Sequence, residues 1–136
     1  MEWQEALPLL QENHTGVAIS VTSKGRAQAT VVSTAVLDNK LGFASRPRTV
    51  KEKNIRRTGR ATVTVIKLDT RRFVTVEGPA SIEPWQDTPA HIKRLKDLYV
   101  SMGRAPKGTD DDFAKQMRDE QRSLILISTE NLYGSV

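Results

Sequence analysis

The 136-residue chain contains no cysteine. That excludes disulfides, thiolate metal sites and cysteine nucleophiles, and makes a reducing cytoplasm the expected compartment. Its two histidines, His14 and His91, are too few for a histidine metal site. Aromatic residues are scarce, at two Trp, two Tyr and three Phe. None is interleaved with the basic residues as a base-stacking surface would need, so nucleic acid is not an expected partner. No apolar run approaches the roughly 20 residues that cross a bilayer, and an N-terminus bearing Glu2 and Glu5 does not read as a signal peptide. No G-x-G-x-x-G or Walker pattern occurs, so the common nucleotide-binding folds gain no support. The length fits one domain over residues 1–136, with neither metal nor membrane expected as partner.

What the chain does have is positive charge. A net charge of +5 and a pI near 9.7 admit nucleic acid, anionic membrane or an anionic small molecule as partner. Seven of the twenty-one Lys and Arg residues fall between Arg46 and Arg60, with Glu52 the only acid among them. Thr49-Val50-Lys51-Glu52 has the form of a capping box, so a short helix is expected from Val50, with Gly59 ending it. Pro47 fits an extended approach to that helix. Arg46, Arg48 and Lys51 crowd the positive end of the helix dipole, which costs a few tenths of a kcal/mol each. Two readings fit: a phosphate or carboxylate bound at the helix start, or a solvated basic helix.

Around this run the chain alternates short apolar patterns. A helix is expected over 3–12, with Trp3, Leu7 and Leu10 in register, although Pro8 suits only a first turn. In 15–22, Val17, Ile19 and Val21 alternate with Ala18, Ser20 and Thr22, the pattern of a half-buried strand. A turn at 23–25 leads into a long strand over 26–37. On it Gln28, Thr30, Val32 and Thr34 share one face, and Ala27, Ala29, Val31 and Ser33 the other. Leu37-Asp38-Asn39-Lys40 reads as a hairpin turn returning along 41–45. Strands over 61–68 and 72–82 flank a turn at 69–71, and Gly78-Pro79 predicts a bulge or an edge. After a linker over 84–89, a helix over 90–102 carries Ile92, Leu95, Leu98 and Tyr99 on one stripe, more suited to core than to a cofactor. A loop over 103–108 follows, then a helix capped by Thr109 whose acidic first turn, Asp110 to Asp112, suits the dipole rather than Mg²⁺. A last strand covers 123–128, ahead of Asn131-Leu132-Tyr133-Gly134. Six antiparallel strands with three or four helices imply a small barrel or sandwich.

The residues T-V-K-E-K-N-I-R-R-T-G-R-A-T-V-T-V from Thr49, V-T-V-E-G-P-A from Val74, G-R-A-Q from Gly25 and the terminal L-Y-G identify a resemblance over nearly the whole chain. It resembles the split-β-barrel flavin- and deazaflavin-binding family related to pyridoxamine 5′-phosphate oxidase, and within it the small actinobacterial-type proteins that use the deazaflavin coenzyme F420. The resemblance implies a mainly β, α+β fold: a six-stranded antiparallel split barrel (an FMN-binding split barrel) with peripheral helices, forming a homodimer with the cofactor at its interface. It places Thr49, Val50 and Lys51 at the cofactor phosphate, with Ser45 and Arg46 beside them at the strand end. Gln28, Val31 and Val32 fall on the strand that flanks the ring, and Arg71, Arg72 and Phe73 on a segment that reaches the site from the partner subunit. Each has a plainer alternative: Gln28 facing solvent, the valines in the core, the arginines at a charged hairpin tip.

Two departures matter. Pyridoxamine phosphate oxidases recognise substrate with an extended Arg- and His-bearing C-terminal segment that this sequence lacks, so vitamin metabolism is not expected. Relatives often carry Arg two residues before the motif lysine, where Thr49 stands here with Arg48 one step earlier, so phosphate binding is expected to be reorganised or weaker. A phosphate and an acidic tail on the deazaflavin suit a basic groove better than a single flavin phosphate requires. The resemblance therefore implies an F420-dependent oxidoreductase passing hydride to a small unsaturated organic substrate. The alternatives are an FMN enzyme of the same fold, and either a non-catalytic protein that binds or stores the deazaflavin or a basic nucleic-acid binder. Tyr133, His14 and Arg71 are conceivable proton donors, and none is assigned.

Overall fold

The computed structural model of the chain describes residues 1–104 and 106–136. Ala105, in the loop expected over 103–108, lies outside the described residues. Those residues form four helices, α1 (Trp3–Glu12), α2 (Val50–Thr58), α3 (Pro89–Ser101) and α4 (Asp110–Glu120). They also form seven strands, β1 (Thr15–Val21), β2 (Ala27–Leu37), β3 (Lys40–Ser45), β4 (Arg60–Ile66), β5 (Phe73–Glu83), β6 (Ser123–Ile127) and β7 (Asn131–Ser135). Every pairing is antiparallel, and six strands close in the order β1-β2-β3-β6-β5-β4 because β4 pairs with both β1 and β5. The expected six-stranded barrel is therefore present. The seventh strand, β7, was not expected and lies outside the barrel along β5.

Two long strands make the closure possible. β2 pairs with β1 over 27–33 and with β3 over 34–37, while β5 pairs with β4 over 73–79 and with β6 over 80–83. In β5 the changeover falls at Gly78-Pro79, where sequence predicted a bulge or edge. A Cβ on Gly78 would overlap the Ser128 carbonyl oxygen, so only glycine admits the chain leaving β6. That crossing is fastened by Ser128 N–H to Pro79 O and Glu130 N–H to Glu77 O, both 2.9 Å. The β2–β3 turn is the two-residue left-handed kind that Asp and Asn favour, with φ of 54° at Asp38 and 57° at Asn39.

The barrel interior holds Leu41, Phe43, Val63, Val65, Val74, Val76, Ile125 and Ile127, each 0% exposed. α1 packs against this core through Ala6, Leu9 and Leu10. Pro8 lies inside α1 rather than in its first turn. The helix tolerates the lost N–H because Glu2 and Glu5 cap its start reciprocally and burying Leu10 contributes about 2 kcal/mol. A second core lies between the outer side of β3 and β6 and the helices, built from Leu124 and Leu126 with Leu95, Leu98, Phe113 and Met117. β6 is consequently buried on both faces.

β1 presents its small residues to the interior. Gly16, Ala18 and Ser20 are buried, while Val17 and Ile19 are half-exposed and Val21 is exposed on the outer face. The larger apolar side of β1 thus faces outward, beside the outward Ala27, Ala29 and Val31 of β2. Arg60, exposed at the start of β4, pairs with Glu77 and Glu130 on that solvated face.

Candidate functional site

The basic run begins where β3 ends. Arg48 takes a left-handed φ of 63°, a conformation costing a non-glycine residue roughly 1–2 kcal/mol, and this turns the chain from Pro47 into the helix cap. Thr49 caps α2 by accepting from Glu52 N–H at 3.4 Å, and Gly59 ends the helix in the left-handed conformation, as predicted. The reciprocal half of the capping box does not form. The Glu52 carboxylate instead accepts from Ser123 Oγ at 2.7 Å, a pairing that satisfies a buried hydroxyl.

The first turn of α2 is therefore joined to two neighbouring strand ends. Ser45 and Ser123 are register partners across β3 and β6. Ser45 Oγ hydrogen-bonds Thr49 Oγ1 at 3.0 Å, while Ser123 Oγ donates to Glu52. Two more bonds fix the residue before Ser123: Arg122 Nε donates to Glu120 at 2.9 Å, and His91 Nε2 donates to the Arg122 carbonyl at 2.9 Å.

Beside this junction lies a cleft of about 240 Å³, lined by Val31, Val32, Ser33, Ala44, Lys51, Tyr99, Met102, Arg104 and Arg122. Burial, then the nearby Arg122 guanidinium, holds the Lys51 ammonium below the ordinary lysine range, with Glu52 opposing. Among the described residues Lys51 has no ion-pair partner, whereas Arg122 has Glu120. The Tyr99 hydroxyl is pushed up, chiefly by burial, so it stays protonated at neutral pH. The donor set of one ammonium, two guanidinium groups and a phenol suits an anion, and the apolar wall of Val31, Val32 and Met102 suits a flat ring.

Of the residues singled out from sequence, Val31, Val32 and Lys51 meet at this cleft. Ser45 and Thr49 stand behind it as a bonded pair. Arg46 reaches Glu120 at 3.4 Å, and Val50 is 53% exposed on the outside of the helix. Gln28 is on the inward face of β2, accepting from Ser20 Oγ and donating to Thr30, in a polar chain that continues to Asn54 of α2. It does not line the cleft. Arg71 and Arg72 are exposed at the β4–β5 hairpin tip, and Phe73 pairs with Ile66 and Ser135, so none of the three lines the cleft of its own chain. The conceivable proton donors are elsewhere too: His14 bonds Thr34 O at 2.9 Å, and Tyr133 is 55% exposed on β7. Sequence reasoning missed Tyr99, Arg104 and Arg122. Tyr99 was visible only as part of an apolar stripe, and it does pack edge-on against Phe113 at 5.7 Å. Among the described residues no cluster of three or more His, Cys, Asp or Glu could hold a metal ion.

A protein-family model described as pyridoxamine 5′-phosphate oxidase matches residues 3–134. No curated protein matches the chain. Among solved structures, a conserved hypothetical protein from Mycobacterium tuberculosis is similar at 21% identity and a TM-score of 0.77, over 99% of this chain and 84% of its own. An F420 reductase is similar at 22% identity and a TM-score of 0.67, over 93% and 94%. A pyridoxamine 5′-phosphate oxidase-related, FMN-binding protein from Nostoc punctiforme is similar at 18% identity and a TM-score of 0.69, over 97% and 82%. Heme-binding proteins also share the fold. At these identities the likeness establishes the barrel and nothing finer.

Proposed function

The chain belongs to the pyridoxamine 5′-phosphate oxidase family, and from that premise we propose that it is a cytoplasmic, homodimeric oxidoreductase binding coenzyme F420 by its phosphate end at the Lys51 cleft. The observation that carries the reading is Lys51 itself, a partly buried ammonium without an ion-pair partner among the described residues, beside two arginines on a cleft with an apolar wall. A buried cation of this kind is favourable when an anion completes it. The F420 reductase and the FMN-binding protein that share the fold support a flavin-type occupant.

When bound, the deazaflavin supplies hydride transfer to a small unsaturated substrate. The chain's own residues would bind and orient it: Lys51, Arg104 and Arg122 hold negative charge, Val31 and Val32 give the ring an apolar surface, and Tyr99 holds a proton at its hydroxyl on the cleft wall. Arg71, Arg72 and Phe73 take part only if contributed by a second copy. Support for that copy comes from the outer face of β1 and β2, where Val17 opposes Val31, Ile19 opposes Ala29 and Val21 opposes Ala27. An apolar outer sheet face of this kind normally meets a partner, and Val31 is 71% exposed where this face borders the cleft.

The decisive experiment titrates the purified protein with coenzyme F420, FMN and hemin, following fluorescence of the first two and the Soret band of the third. Micromolar or tighter F420 binding with weaker FMN binding is expected. Preference for FMN makes it a flavin enzyme of the same fold, and preference for hemin overturns the oxidoreductase reading. Binding of F420 with no turnover across quinones and enones favours storage.

A further inference from the structure

The Glu52–Ser123 hydrogen bond joins two residues 71 apart in sequence, both nearly fully buried at 4% and 3% exposure. Their chain neighbours are the two cations Lys51 and Arg122, which both line the cleft. The structure assigns Glu52 and Ser123 a positioning role: their buried bond is a clasp that holds Lys51 and Arg122 side by side against their mutual repulsion, so that the cleft presents a preformed pair of cations. The proposal rests on the reading of the cleft as an anion site.

The geometry around the bond supports a clasp rather than incidental packing. Glu52 Oε1 accepts both from Ser123 at 2.7 Å and from Arg56 at 3.1 Å, while Oε2 is buried without a partner. A carboxylate left half-satisfied in the interior costs more than a neutral, fully bonded side chain would there. It places a negative charge one residue from Lys51, which it favours, whereas Arg122 and burial oppose the ammonium. Arg122 cannot swing away easily, because Glu120 holds its side chain and His91 its carbonyl. With the clasp in place, like charges meet before any ligand arrives, and the ligand is spared that cost.

The test reads Lys51 directly. Lysine labelled with ¹³C at Cε is followed by NMR through an alkaline titration, the Lys51 signal being assigned by its loss in Lys51→Arg. Arg122, Arg104, Glu52 and Tyr99 are the charged or titratable groups around it. In the wild type Lys51 is expected to titrate below the other lysines. In Ser123→Ala its midpoint should move up towards them, and Ser123→Thr, which restores the hydroxyl, should bring it back. An unmoved midpoint in Ser123→Ala overturns the clasp. If Ser123→Ala does not fold, Ser123→Cys, similar in size and a poor donor, is read in its place with the same two outcomes.

Calorimetry with inorganic phosphate separates the clasp from the reading beneath it. Ser123→Ala should weaken phosphate binding roughly three- to tenfold, the range expected for one net hydrogen bond, and Lys51→Ala and Arg122→Ala should weaken it at least as much. A shifted Lys51 midpoint with phosphate affinity unchanged in all three variants upholds the clasp and overturns the anion site. Loss of affinity in Lys51→Ala, with Ser123→Ala behaving as wild type in both measurements, upholds the anion site and overturns the clasp.

Discussion

Val17 and Val31 stand directly opposite each other on the outer face of the β1–β2 ladder, with Val31 71% exposed. A β-branched cross-strand pair normally stabilises a sheet by being covered, and among the described residues Val31 is left largely uncovered. Val31→Asp should therefore convert a dimer, sedimenting near twice the 15.2 kDa chain mass, into a monomer. Its folded stability should shift by only about 0.5 kcal/mol, as for other exposed substitutions. Sedimentation velocity checks this, and a wild type that runs as a monomer at micromolar concentration removes the dimer.

Lys51→Ala should weaken F420 binding by roughly 1.5 to 3 kcal/mol, the value of a charge-assisted hydrogen bond. Fluorescence titration measures it. Lys53→Ala, exposed on the same helix and outside the cleft lining, is the control and should change binding little.

The same lysine sets a pH dependence. Its folded-state titration lies below the ordinary lysine range, and a bound anion favours its protonated form. Binding thus takes up a proton between the lowered and the ordinary value, and affinity for F420 should fall as pH rises through that window. The fall should be absent in Lys51→Ala. Titrations at a series of alkaline pH values, at constant ionic strength, distinguish this from general loss of charge.

Gly78→Ala should destabilise the fold by about 3 kcal/mol or more, as overpacking against backbone does. The added methyl would strike the Ser128 carbonyl. Thermal or urea unfolding reads it. Gly25→Ala is a useful contrast, since its Cβ would meet nothing within 4 Å and only its left-handed φ of 75° resists substitution.

The barrel was legible because its strands carry their partners' signals locally. Alternation in β1 and β2, the Asp38–Asn39 turn and the Thr49 cap are all short-range statements, and each is realised. β7 was not legible: Asn131 to Ser135 is mostly exposed and draws its order from pairing with β5, so no apolar alternation marks it. The site divides in the same way. Lys51 belongs to a dense local run, whereas Arg122 follows α4 through the left-handed residue Gln121 and reaches Lys51 only through tertiary closure. Glu52 shows how a correct local pattern misleads, because a capping-box glutamate found a better-buried partner 71 residues away. Gln28 keeps the Val32 face that the strand pattern gave it, whereas its link through Ser20 to Asn54 of α2 is tertiary and leaves no local sign.

The pairing of β5 with β6 spans the whole helical excursion, Ala80 meeting Ile127 and Glu83 meeting Leu124 on either side of residues 84–122. Forming it means closing a long loop, whereas the β1–β2, β2–β3 and β4–β5 hairpins need only short ones, so β6 is expected to dock late in folding. Arg122 and Ser123 arrive with β6. The hairpins can therefore assemble before the cleft exists, and an anion bound between Lys51 and Arg122 would act as a brake on the first step of unfolding, slowing amide exchange in β6 more than in the hairpins.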